Sequence, residues 1–191
     1  MTNTIHHRRR FLRGAAIAAA IVGAPLIASA EPLLPLPVQQ VQTDTLDIGY
    51  HEAGPADGHP IILLHGASGD ILRYAEVAPV LARQGYRVLV PYLRGHGSTR
   101  LLDAVSDAGT DASAPRAYQQ AVLGQDLLDF MDALHIPEAV LAGFDLGGRA
   151  AAAVAARKPT RVVGLVLADG MSISGLADAV AASARNGKWR T

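Results

Sequence analysis

The chain has 191 residues, half of them hydrophobic and 18 % charged, which suits one domain with a substantial core and excludes a disordered tail. Its 17 basic and 17 acidic residues cancel, but four of the basic ones (Arg8, Arg9, Arg10 and Arg13) lie in the first thirty, leaving a mildly acidic body of 13 basic against 17 acidic. That body offers no footprint for nucleic acid, and the lack of cysteine excludes disulfides, thiolate metal sites and cysteine nucleophiles.

The first thirty residues read as an address. "HHRRRFLRG" precedes "AAIAAAIVGAPLIASA", giving a basic region, an apolar region and small residues at Ala28 and Ala30. This is the order of a cleavable secretory signal. Gly23 and Pro25 interrupt the short apolar stretch, which disfavours a permanent span. Arg8 and Arg9, a spacer, Phe11, Leu12 and Arg13 resemble the twin-arginine export signal, which implies the export machinery as a partner and a periplasmic or secreted product. The alternative is a basic tail beside a chance apolar run. Residues 31–42, "EPLLPLPVQQVQ", are expected to form a Pro-rich extended lead-in.

Strands and helices are expected to alternate through residues 43–170. "TDTLDIGYHEAG" alternates enough for one or two antiparallel edge strands. Residues 61–64, 87–90, 139–141 and 162–167 are nearly continuous in apolarity rather than alternating, as strands buried on both faces should be. Residues 71–84 are apolar on one side, with Pro79 in a first helical turn. Leu123, Leu127, Phe130, Met131 and Leu134 follow helical spacing, and Asp126, Asp129 and Asp132 fall off that stripe towards water. Residues 150–157 form a small-residue helix stopped by Pro159. The class is α/β, a mostly parallel sheet with flanking helices. Residues 171–191 are expected to be a terminal helix or the start of a further segment.

"VLAGFDLGGRAAAAVAARKP" puts Asp145 where an apolar strand hands over to an alanine-rich helix. A direct strand-to-helix corner pushes its residue towards positive φ, which Asp tolerates better than most. Gly143 and Gly147, two residues to either side, remove side chains that would collide there. This is the layout of a nucleophile elbow, Gly-x-Ser-x-Gly, with Asp in place of Ser. Three other readings compete: an N-cap for the helix, a phosphate-cradling turn, and a relic of a lost serine. Upstream, "ILLHGASGD" ends a strand in His65 and Gly66. Its turn would bring the Ala67 N–H to the same sheet edge, where with the Leu146 N–H it could hold an oxyanion.

With the His-Gly turn, the "YLRGHGST" loop and the elbow in order, residues 43–170 resemble the α/β-hydrolase superfamily. The Gly-x-Asp-x-Gly-Gly elbow resembles its branch of epoxide hydrolases and haloalkane or haloacetate dehalogenases. The resemblance implies a hydrolase acting on a small-molecule epoxide or alkyl halide, with Asp145 as nucleophile and a covalent ester, and no cofactor or metal. "LVLADG" resembles a segment where some dehalogenases carry the triad acid, here Asp169. In the family a late histidine serves as base, after a cap domain and the last strands. The chain stops where that cap would begin, so a fold lacking its last strands and cap is expected. All seven histidines precede the elbow. His65 is read as structural, and His96 as the one other histidine near the cleft, a candidate substitute base. Leu146 stands where a dehalogenase would place its halide-binding Trp, and Trp189 lies in the tail. The alternative function is a non-catalytic hydrolase fragment or binding scaffold.

Overall fold

The computed structural model describes residues 37–102, 119–168 and 173–189; residues 1–30 and Asp169 lie outside the described residues. In chain order the elements are β1 (Gln39–Gln42), β2 (Leu46–Ala53), β3 (Pro60–Leu64), α1 (Val77–Arg83), β4 (Arg87–Pro91), β5 (Arg100–Leu101), α2 (Gln120–Ala133), β6 (Ala139–Gly143), α3 (Asp145–Arg157), β7 (Val162–Leu167) and α4 (Ile173–Asn186). A 3-10 turn, Ile71–Tyr74, precedes α1, whose first turn holds Pro79.

The four apolar runs pair in parallel in the order β4-β3-β6-β7, and β2 joins β4 antiparallel, with β1 and the short β5 on β2. The sheet is therefore mixed. Alternation along each strand splits its side chains between two layers. Ile62, Leu64, Leu89 and Leu141 face the layer of α2 and α3, while Ile61, Leu63, Val88 and Val140 face that of α1 and α4. All eight are fully buried. Burying each contributes about 1.5–3 kcal/mol before entropy is counted, so continuous apolarity is what a strand covered on both faces requires. The alanines of α3 let it approach α2 closely. A Cβ on Gly124 would stand 2.6 Å from the Ala153 Cβ.

Three expectations need correction. The sheet begins at Gln39, inside the Pro-rich lead-in, because the exposed backbone edge of β2 recruits "QQVQ" without an apolar stripe. For the same reason β2 is an interior strand rather than an edge. Asp126 does not point to water. Arg94 donates to both of its carboxylate oxygens, at 2.6 and 2.9 Å, and the two side chains are only 10 % and 12 % exposed. Burial pushes the Asp126 carboxyl above its ordinary value despite that guanidinium. Asp132 does behave as expected, pairing with Arg161 at the surface. Trp189 stacks on His59 at 4.3 Å, against the residue before the start of β3 and so at the end of the strand away from Asp145.

Candidate active site

Register builds the site. Leu64, the last residue of β3, is the parallel partner of Gly143, the last residue of β6, so the His65–Gly66 turn and the elbow leave the sheet side by side. The chain then turns from β6 into α3 with a single intervening residue, Phe144. Asp145 takes the corner at φ +48°. Holding a non-glycine residue there costs about 1–2 kcal/mol. Backbone bonds fix the corner to the neighbouring strand: Phe144 N–H donates to the Leu64 carbonyl (3.4 Å) and Gly147 N–H to the His65 carbonyl (3.0 Å).

The glycines supply space. A Cβ on Gly143 would lie 2.7 Å from the Gly147 carbonyl carbon, and one on Gly147 would overlap the Leu64 carbonyl oxygen. Gly66 lets the two loops touch, since a Cβ there would meet the Phe144 ring at 2.7 Å and the Asp145 Cβ at 3.1 Å.

The Asp145 side chain is exposed, and its Oδ2 accepts a hydrogen bond from the Ala67 N–H at 2.9 Å. This overturns the N-cap reading: Phe144 occupies the cap position, and the carboxylate bonds across to the neighbouring turn, not back to its own helix. Leu146 lies in the first turn of α3, where backbone N–H groups have no intrahelical acceptor, and its side chain is buried. The positive end of the α3 dipole favours an anion here.

His65 is wholly buried. Its Nε2 accepts from the Leu93 N–H (3.1 Å), so its Nδ1 carries the proton and donates to the Gly66 carbonyl (2.8 Å). Burial, helped by the charge of His96, holds its pKa below the ordinary histidine value. The ring therefore works neutral, as a brace between the turns after β3 and β4. His96 reaches backbone carbonyls with both ring nitrogens. Its Nε2 lies 3.0 Å from the Ala67 carbonyl and its Nδ1 3.0 Å from the Arg94 carbonyl. The Asp145 carboxylate is thus held by the Ala67 N–H of the neighbouring turn.

Two contributors escaped the sequence reading. The buried Tyr74 hydroxyl donates to the Leu64 carbonyl at 2.8 Å, bracing the end of β3, and its ring tilts against Phe144. The Arg94 fork on Asp126 anchors the loop after β4 to α2. Nothing in a lone Tyr or in a heptad-like stripe signals either.

Residues 59–190 match the family model for the alpha/beta hydrolase fold. The chain belongs to that family. It is 34 % identical over 135 residues to a haloalkane dehalogenase of Mycobacterium marinum, covering 70 % of this chain and 42 % of the relative. A Klebsiella pneumoniae structure described as a candidate epoxide hydrolase matches with 52 % identity and a TM-score of 0.60, over 67 % of this chain and 40 % of that one. A second such candidate, from Pseudomonas aeruginosa, matches at 31 % identity and TM-score 0.62, over 74 % and 44 %. This hydrolase-fold chain thus spans less than half the length of each of these three relatives.

Proposed function

We propose that Asp145 is a carboxylate nucleophile that opens an epoxide or displaces halide from an alkyl halide, forming an ester. One observation carries this reading. At a positive-φ corner, the Ala67 N–H holds Oδ2 and leaves Oδ1 as the attacking oxygen. A lone pair on Oδ1 forms the new C–O bond, while the epoxide C–O bond or the carbon–halogen bond breaks. The leaving oxygen takes a proton from water, and halide departs as the anion. Oδ2 then becomes the ester carbonyl oxygen, already beside the N–H that would stabilise it as an oxyanion when water adds. Adding water needs a base, and every described histidine near the elbow is committed to backbone groups. The names of the relatives support the two electrophile classes.

Incubation with styrene oxide should add one stable adduct to the intact protein, mapped to Asp145 and missing in Asp145→Asn. Folded wild-type protein that takes up no label would remove the nucleophile. A second reading, a non-catalytic scaffold, is favoured by β7, whose Leu165 and Leu167 are 39 % and 53 % exposed on an edge strand. Absence of any adduct would support it. We also propose that residues 1–30 direct twin-arginine export to the periplasm or beyond, a reading supported by the arginine pattern alone.

A further inference from the structure

We propose that His96 is a positioning residue for the Ala67 donor, spanning two carbonyl groups with its ring and holding both only when both ring nitrogens carry protons. The inference rests on the reading of Ala67 as the donor to the ester oxygen of Asp145. Residue 67 is gripped from two sides: its N–H binds Asp145 Oδ2 at 2.9 Å, and its carbonyl lies 3.0 Å from His96 Nε2. The other ring nitrogen lies 3.0 Å from the Arg94 carbonyl.

Carbonyl oxygens only accept, and a neutral imidazole has one N–H and one lone pair. A neutral His96 would therefore turn a lone pair on one of the two carbonyls, whereas the imidazolium donates to both. The neighbouring histidine has the opposite requirement. His65 meets one acceptor, the Gly66 carbonyl, and one donor, the Leu93 N–H, the pattern of a neutral ring. The two rings meet edge to face at 4.9 Å. Among the described residues, Asp145, Asp70 and Tyr92 are titratable groups near this pair. Asp145 is joined to it through Ala67, Asp70 caps the 3-10 turn that follows, and Tyr92 lies edge-on to His65. The Arg94 guanidinium is turned away into Asp126. The protonation of one half-buried histidine thus sets how firmly the oxyanion donor is held.

The test is a pH titration of the full chain labelled with 15N, following both His96 ring nitrogens and the Ala67 amide. The expected result is two protonated nitrogens on the acid side, with one proton lost as pH rises and the Ala67 amide moving along the same curve. In His96→Phe, which keeps a ring but no donor, that curve should flatten, and Ala67 amide exchange should quicken by roughly three- to tenfold. A His96 ring singly protonated throughout, an Ala67 amide indifferent to it, or unchanged exchange in His96→Phe would each overturn the assignment. The styrene oxide experiment separates the two ideas. Correct titration without an adduct sinks the nucleophile and leaves His96 in place, while an adduct with an indifferent Ala67 does the reverse.

Discussion

Gly147 and Gly148 stand next to each other in the first turns of α3, yet alanine should act on them with opposite signs. A Cβ on Gly147 would overlap the Leu64 carbonyl oxygen and lie 2.5 Å from the Leu64 carbonyl carbon and 2.6 Å from its Cβ. These atoms belong to a fully buried strand paired on both sides, so they cannot step aside as a flexible side-chain end could. Relief requires lifting the start of α3 from the sheet, at the expense of the Gly147–His65 and Phe144–Leu64 backbone bonds. Overpacking costs about 1–3 kcal/mol and each lost bond about 1 kcal/mol, against a gain of at most about 1 kcal/mol from alanine's helix preference.

The net loss for Gly147→Ala is therefore about 2–4 kcal/mol, a fall in melting temperature of about 5–15 °C for a chain of this size. At Gly148 the nearest atoms to a Cβ are the Gly143 carbonyl oxygen at 3.4 Å and the Leu167 Cδ2 at 3.8 Å, ordinary contacts. Only the helix preference remains, so Gly148→Ala should stabilise by roughly 0.5–1 kcal/mol. Thermal and urea melts of the two variants beside wild type decide the matter. Gly147→Ala melting at or above wild type would refute the steric account of the corner, and with it the reason given for both elbow glycines.

Stability should fall on the acid side through His65. Its folded-state pKa lies below the ordinary 6.5, so the unfolded chain binds its proton first. This contribution is complete above pH 6.5 and lost as pH falls towards the folded value, with a slope of at most about 1.4 kcal/mol per pH unit; urea melts across that range should show it, and a flat profile would contradict the buried neutral ring. Asp126→Ala strands a largely buried guanidinium and should destabilise by about 3 kcal/mol, whereas Arg94→Met with Asp126→Leu should recover most of that; equal melts for wild type and the single variant would show the pair to be solvated. Replacing Arg8 and Arg9 together by lysine should leave an uncleaved precursor in the cytoplasm, read by cell fractionation and immunoblot, and unchanged export would dismiss the twin-arginine reading.

What could be read from the sequence was what depends on short-range pattern. The four apolar runs became the four parallel strands within two residues at either end; in β3, β4 and β6 burial on both faces leaves little choice of side chain, whereas β7 is partly exposed. The corner at Asp145 was equally legible, because its spacing demands follow from backbone geometry over five residues. Contacts across distant segments were not. Asp126 sits at the border of a helical stripe, and only Arg94, 32 residues away, turns that border into an interior. In β1, "QQVQ" carries no alternation, and it is a strand because β2 had an edge to pair.

The two histidines of the site make the limit concrete. His65-Gly66 and His96-Gly97 are the same dipeptide, and both rings stand in turns that follow a parallel strand. One ring meets a carbonyl and an N–H and is thereby neutral; the other meets two carbonyls. The difference lies in which peptide group of the partner loop arrives at each ring, and that is fixed by the placement of β4 beside β3. The hydrogen-bonding pattern of each ring is thus a consequence of strand order, a property no residue in either motif carries by itself.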